Sequence, residues 1–145
     1  MALLSYQLKL VGRFGRIFKN ERLAKLGLNG REAEILLAVK NWPWRSQDEI
    51  AAELLIDKSG IARHLANLED RGLVLRTVSP TDRRVTQVSL SPEAEKLVEP
   101  IREINTAWSR FIEDTLSPEE VRILHDALSR AVQKGREELQ GRKKP

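Results

Sequence analysis

Apolar residues recur along this chain at helical spacing, interrupted once by a short alternating stretch. From about residue 3 to 26, Leu4, Leu8, Val11, Phe14 and Phe18 return every three or four positions and predict a helix with one apolar stripe. Lys9, Arg13 and Arg16 line its other face. They are read as a solvated face rather than a phosphate contact. A second helix starts at Asn29, with Glu32 three residues on in capping-box position, and Leu28 is placed to staple onto Ala33. Its apolar run, Ile35-Leu36-Leu37-Val39, stops at Trp42-Pro43-Trp44. A third, short helix opens on the box Ser46…Glu49, carries Ile50, Ala51, Leu54 and Leu55, and ends near Ile56. The fourth is 57-DKSGIARHLANLEDRG-72, with Asp57 as cap and Gly72 as a left-handed stop.

The period then changes. The segments 73-LVLRTV-78 and 85-VTQVSL-90 are β-branched and partly alternating, which predicts two strands, with Ser79-Pro80-Thr81-Asp82 as the turn. Helical spacing resumes after Ser91-Pro92: Leu97, Val98, Ile101, Ile104, Trp108, Phe111 and Ile112. Pro100 falls inside this run and should kink or divide it. Ser117-Pro118-Glu119-Glu120 opens a last helix with Val121, Leu124, Ala127, Leu128, Ala131 and Val132 on one side. The tail 141-GRKKP-145 is expected to fray in solvent.

The fourth helix is the informative one. At about 100° per residue, Ile61, Leu65 and Leu68 cluster on one face. Ala66, Ser59, Asp70 and Arg63 fall about 140° to 200° away, with Asn67 beside them. That outer face is small and polar, without the long Lys/Glu pairs of an ordinary solvated helix. Small residues let a backbone approach a partner, and Arg and Asn are the side chains that pair bidentately with guanine and adenine edges. By itself the helix fits a plain surface face equally well. Two short helices joined by a tight turn and followed by a two-stranded ribbon make a winged helix-turn-helix, which favours the first reading.

Composition narrows the field. The 145 residues carry a net charge of +4, 41% hydrophobic and 32% charged residues, and no cysteine. An ordered, mildly basic chain is compatible with nucleic acid. Without cysteine there are no disulfides, thiolate zinc sites or thiol redox chemistry, and a reducing cytoplasm is a natural home. The N-terminal stretch is broken by Lys9, Arg13, Arg16 and Lys19, so neither a signal peptide nor a membrane span is expected. His64 and His125 show no zinc-type spacing, and neither a nucleophilic triad nor a Gly-rich phosphate loop is discernible. No metal, no cofactor and no enzymatic activity are expected.

The residues from about Leu28 to Leu97 resemble the MarR family of bacterial transcriptional regulators. The resemblance is carried by 57-DKSGIARHLANLEDRGLV-74 and by a wing signature of Asp-x-Arg, five residues, then Leu-Thr, here Asp82-Arg83-Arg84, Val85 to Ser89, and Leu90-Ser91. Family members often have Gly where this chain has Leu54-Leu55-Ile56, and again shortly after the wing, where it has Ala94. The resemblance implies a mainly α fold with a minor β component. A winged helix-turn-helix DNA-binding module over residues 29–91 is flanked by an N-terminal helix, 1–28, and C-terminal helices, 92–140, that build a homodimer base, with 141–145 as a tail. It implies that Arg84 enters a minor groove beside the site of the fourth helix. Narrow minor grooves attract Arg, and Asp82 would pair with an arginine and fix its direction. Arg83 then meets a phosphate, Arg63 reads a base with Ser59 and Asn67 assisting, and Lys58 lies on phosphate.

Trp42, Trp44 and Trp108 are either packing residues or the lining of a pocket for a small aromatic or lipophilic effector, a ligand class the family commonly binds. The reading is therefore a cytoplasmic, homodimeric, ligand-responsive regulator of double-stranded DNA, a repressor acting on a pseudo-palindromic operator. The competing class is a protein-interaction module that keeps the winged-helix fold without specific operator binding. A nonspecific architectural DNA binder is a third.

Overall fold

The computed structural model describes residues 3–142. Its elements are α1 (Leu4–Ala24), α2 (Gly30–Asn41), α3 (Gln47–Leu54), α4 (Lys58–Asp70), β1 (Val74–Val78), β2 (Thr86–Leu90), α5 (Pro92–Glu113) and α6 (Pro118–Arg142). They fall into two compact units that divide between Thr106 and Ala107.

Local side-chain chemistry starts the helices where expected. The Asn29 side chain accepts the Glu32 N–H at 2.9 Å, and Glu32 accepts the Asn29 N–H at 3.1 Å. Ser46 and Glu49 reproduce the reciprocal pair at 3.1 and 2.9 Å, as do Ser117 and Glu120 at 3.3 and 2.8 Å. Each box satisfies two N–H groups that the first turn leaves without partners. Leu28 and Ala33 are both buried across the start of α2, consistent with a staple.

Helix ends depart more from expectation. α3 stops at Leu54, short of Ile56, because Leu55 turns left-handed at φ 55°. Ile56 N–H then reaches Ala51 O at 2.9 Å, and Leu55 N–H reaches Ala52 O at 3.4 Å. This is a Schellman stop with Leu in the position that usually holds Gly. α4 stops by the same device with a glycine: Gly72 has φ 70°, and Leu73 N–H meets Leu68 O at 2.9 Å. Pro100 does not divide α5, which runs unbroken from Pro92 to Glu113. One missing N–H is tolerated because Val98 and Ile101 on either side are anchored in the core.

The first unit is built on Ile35, Leu36, Val39, Ile50, Ile61, Leu65, Leu68, Val74, Val88 and Ile101, all essentially inaccessible to solvent. The predicted inward face of α4 is therefore the observed one. β1 and β2 pair antiparallel, Val74 opposite Leu90 through Val78 opposite Thr86. A third line of backbone joins them, Trp44 N–H to Val88 O and Val88 N–H to Arg45 O, both 3.1 Å. The tight turn of the ribbon is not at Ser79–Asp82. Ser79 N–H meets Val85 O at 2.8 Å, and the turn closes by Val85 N–H to Asp82 O at 3.0 Å. Arg83 and Arg84 thus occupy its two central positions, while Ser79 and Thr81 hydrogen-bond each other on the way in.

On α1, Leu4, Leu8, Val11 and Phe14 of the apolar stripe are exposed. In the second unit, α6 buries no residue, and Leu124, Leu128 and Val132 are exposed. Trp108 and Phe111 stack there with ring centroids 5.6 Å apart. α6 continues through Arg142, so Gly141 and Arg142 are helical, and the rest of the expected tail, 143–145, lies outside the described residues.

Candidate nucleic-acid interface

α4 presents Lys58, Ser59, Arg63 and Asn67 to solvent, while Ile61, Leu65 and Leu68 hold it against the core. Its first turn is organised by Asp57. One carboxylate oxygen accepts the Gly60 N–H at 2.6 Å and the Ser59 hydroxyl at 2.8 Å. These bonds, Gly60 first and Ser59 second, with a smaller attraction from Arg63, hold the Asp57 carboxyl below the usual aspartate range. Gly60 is what allows so close a cap, since a Cβ there would stand 3.0 Å from that oxygen and 3.1 Å from the Ile56 side chain. Ser59 therefore has its hydroxyl proton committed to the cap and offers a partner only lone pairs. Lys58 lies 3.5 Å from Asp48 with both groups open to solvent, a pairing a phosphate could displace at little cost.

The far end of α4 is held by two acid–base contacts that the pattern of the chain did not announce. Arg71 Nη1 lies 3.1 Å from Glu32 Oε1, its Nη2 donates to the Gly27 carbonyl, and Nη1 reaches Asn67 Oδ1 at 3.5 Å. Glu69 binds Arg76 through both backbone and side chain at 3.1 Å each, and these hydrogen bonds, the guanidinium first, pull its carboxyl below the usual range. The only local hint was that Glu69 and Arg76 flank the Gly72 stop.

On the wing, Arg84 Nε and Nη2 fork onto the two oxygens of Asp82 at 3.1 Å each, and the Arg84 N–H adds a 3.0 Å bond to Oδ1. The expected pairing of Asp82 with an arginine is thus with Arg84. It lowers the acid's pKa and raises the base's. The Arg84 side chain is still 90% exposed, so it is aimed without being hidden. Arg83, its neighbour in the turn, is exposed as well.

Trp42 and Trp44 sit together in the α2–α3 turn, Trp44 left-handed at φ 67° and Arg45 stacked 4.8 Å over the Trp42 ring. Trp108 belongs to the second unit, beside Phe111.

Residues 26–85, which hold α2 to α4, β1 and the wing turn, match the family model described as MarR family. The match spans less than half of the chain, and over that stretch the chain is similar to the MarR family. A relative by sequence is an uncharacterised HTH-type transcriptional regulator, YdgJ, of Bacillus subtilis, 29% identical over 104 residues. The matched stretch spans 72% of this chain and 63% of that protein's length. Among solved structures, the transcriptional regulator SlyA superposes with a TM-score of 0.91 at 20% identity, over 98% of this chain and 100% of that one. A complex of Staphylococcus aureus MepR with DNA gives 0.84 at 21% identity, over 92% and 99%. Likenesses at these identities establish the fold alone, mainly helical with a two-stranded wing.

Proposed function

We propose that this chain is a MarR-type, sequence-specific DNA-binding transcriptional regulator, a cytoplasmic homodimeric repressor that answers to a small aromatic or lipophilic ligand. The observation that carries the reading is the outward face of α4, where Arg63 and Asn67 stand exposed beside small residues. Arg63 reads a base edge, Ser59 and Asn67 assist, and Lys58 meets phosphate. Arg84, aimed by Asp82, enters the adjoining minor groove, and Arg83 meets phosphate. The S. aureus MepR–DNA complex supports this placement by fold, and YdgJ and SlyA are both called transcriptional regulators. Among the described residues no helix is long and apolar enough to cross a membrane.

The exposed stripes of α1 and α6 support a dimer, since apolar faces of that kind are covered by a partner. Two-fold symmetry then calls for a pseudo-palindromic operator with half-site centres roughly 10 bp apart. An effector would act by favouring a spacing of the two α4 helices that no longer matches successive major grooves. The test is a gel shift with the DNA upstream of its own gene, at low and moderate salt, with sedimentation of the same sample. A shift on that fragment in preference to random DNA, by a species of twice 16.5 kDa, is expected. Equal affinity for both DNAs would make the protein a nonspecific binder, and no shift would make it an interaction module.

A further inference from the structure

One side-chain acid, Glu69, joins the last turn of α4 to the wing strand. Glu69 Oε1 accepts from the Arg76 guanidinium and Oε2 from the Arg76 backbone N–H, both at 3.1 Å. The register of the ribbon explains why that N–H is available. Ser79 N–H bonds Val85 O, and Ser91 N–H bonds Leu73 O. Residues 73, 75, 77 and 79 therefore turn their polar backbone toward β2, and residues 74, 76 and 78 turn theirs toward the open edge. Glu69 caps the edge at Arg76 and grips the side chain of the same residue.

The mechanical consequence lies at the other end of the strand. Trp44 and Arg45 pin β2 at Val88, opposite Arg76, so Glu69 supplies the matching hold on β1, which the chain enters through a left-handed glycine, Gly72, with no side chain to stiffen it. Five residues of β1 make a lever of about 17 Å. A tilt of about 10° at its base displaces the tip by about 3 Å, close to one base-pair step. The tip holds Asp82, Arg83 and Arg84.

We propose that Glu69 is a positioning residue that sets the distance between the base-reading face of α4 and the wing arginine, so that both meet one DNA site in register. This rests on the function proposed above. Glu69 touches no DNA itself and acts through Arg76 and the strand. Its effect is therefore visible only while Arg84 is present to be positioned.

The test is a double-mutant cycle on an A·T-flanked operator, read by fluorescence anisotropy with the full chain. Glu69→Ala is expected to weaken operator binding on the order of five- to tenfold in the wild-type background and at most about twofold in the Arg84→Ala background. Random DNA should change little in either. Glu69→Gln, which keeps one acceptor, should fall between. Arg76→Met leaves the capped N–H in place and should show the same dependence on Arg84, which covers the case in which Glu69→Ala fails to fold. Equal losses in both backgrounds, with wild-type operator binding intact, would overturn the positioning role alone. Absence of wild-type operator binding would overturn the proposed function and this inference with it.

Discussion

Arg71 Nη1 lies 3.1 Å from Oε1 of Glu32, while the other oxygen of Glu32 caps α2 by accepting the Asn29 N–H at 3.1 Å. One carboxylate thus starts one helix and ties down the end of another. Only 10% of the Glu32 side chain is accessible, so losing its partner would leave a nearly buried charge half-satisfied. Arg71 is about a third exposed, which lets water recover part of the loss. Arg71→Ala is expected to lower stability by about 1–2 kcal/mol. Arg71→Lys should restore only part, since one ammonium cannot reach Glu32 and the Gly27 carbonyl in the same fork. Urea denaturation measures both, and an unchanged midpoint for Arg71→Ala would refute the clasp.

Leu55 makes a second, local prediction. It sits left-handed at φ 55° in the turn before α4, and it is 64% exposed, so little apolar burial repays the strain. Glycine takes this conformation without the Cβ conflict. Leu55→Gly should be at least as stable as the parent, and about 1 kcal/mol more stable than Leu55→Ala. Thermal melts of the three proteins decide it. An alanine variant matching the glycine variant would mean that the turn relaxes out of the left-handed region.

Asp57 ties stability to pH. Its carboxyl is held below the usual aspartate range, first by the Gly60 N–H and then by the Ser59 hydroxyl. A group depressed in the folded state contributes stability that is present above its unfolded pKa and is lost as pH falls through the folded one. Asp57→Asn keeps a cap acceptor but does not titrate. The stability difference between parent and Asp57→Asn should therefore be widest at neutral pH and shrink as pH drops through the aspartate range. Denaturation at a series of pH values checks this, and a difference that stays constant would remove Asp57 as the source.

The proposed division of labour among the arginines predicts losses of different kinds. Arg63→Ala should cost roughly 1–3 kcal/mol on the operator and relax preference at one base pair per half-site. Arg83→Ala should weaken operator and random DNA alike and lower the salt slope by about two units per dimer. Arg84→Ala should weaken the operator more than random DNA, most on A·T-rich flanks with narrow grooves. Asp82→Ala should be a milder version, because it frees the guanidinium that Asp82 now aims without removing it. Anisotropy titrations on A·T- and G·C-flanked operators separate these outcomes. Matching losses for Arg83→Ala and Arg84→Ala on both would reduce the wing to an electrostatic clamp.

Much of this molecule is written in short stretches of chain. The boxes Asn29/Glu32, Ser46/Glu49 and Ser117/Glu120 and the Asp57 cap could be read from residues two or three apart, because capping depends only on one turn of backbone. The inward face of α4 followed from its period, and the Asp82–Arg84 fork from two residues in one turn. The resemblance to the MarR family was legible for the same reason, since the residues that carry it are contiguous.

The tertiary structure decided what joins distant segments or overrides local preference. Ser79-Pro80 looked like the turn, but pairing of Ser79 with Val85 moved the tight bend to Asp82–Val85 and put both arginines at its centre. Pro100 looked like a break, but the core contacts of Val98 and Ile101 carry α5 through it. Leu55 has no intrinsic reason to turn left-handed, and it does so because α3 and α4 must pack at that distance around Ile50 and Ile61. Glu32 with Arg71, Glu69 with Arg76, and Trp44 and Arg45 with Val88 meet only once the helices and ribbon are assembled. An ion pair across many residues leaves no periodic trace in a sequence, because its energy depends on a distance that the fold alone sets.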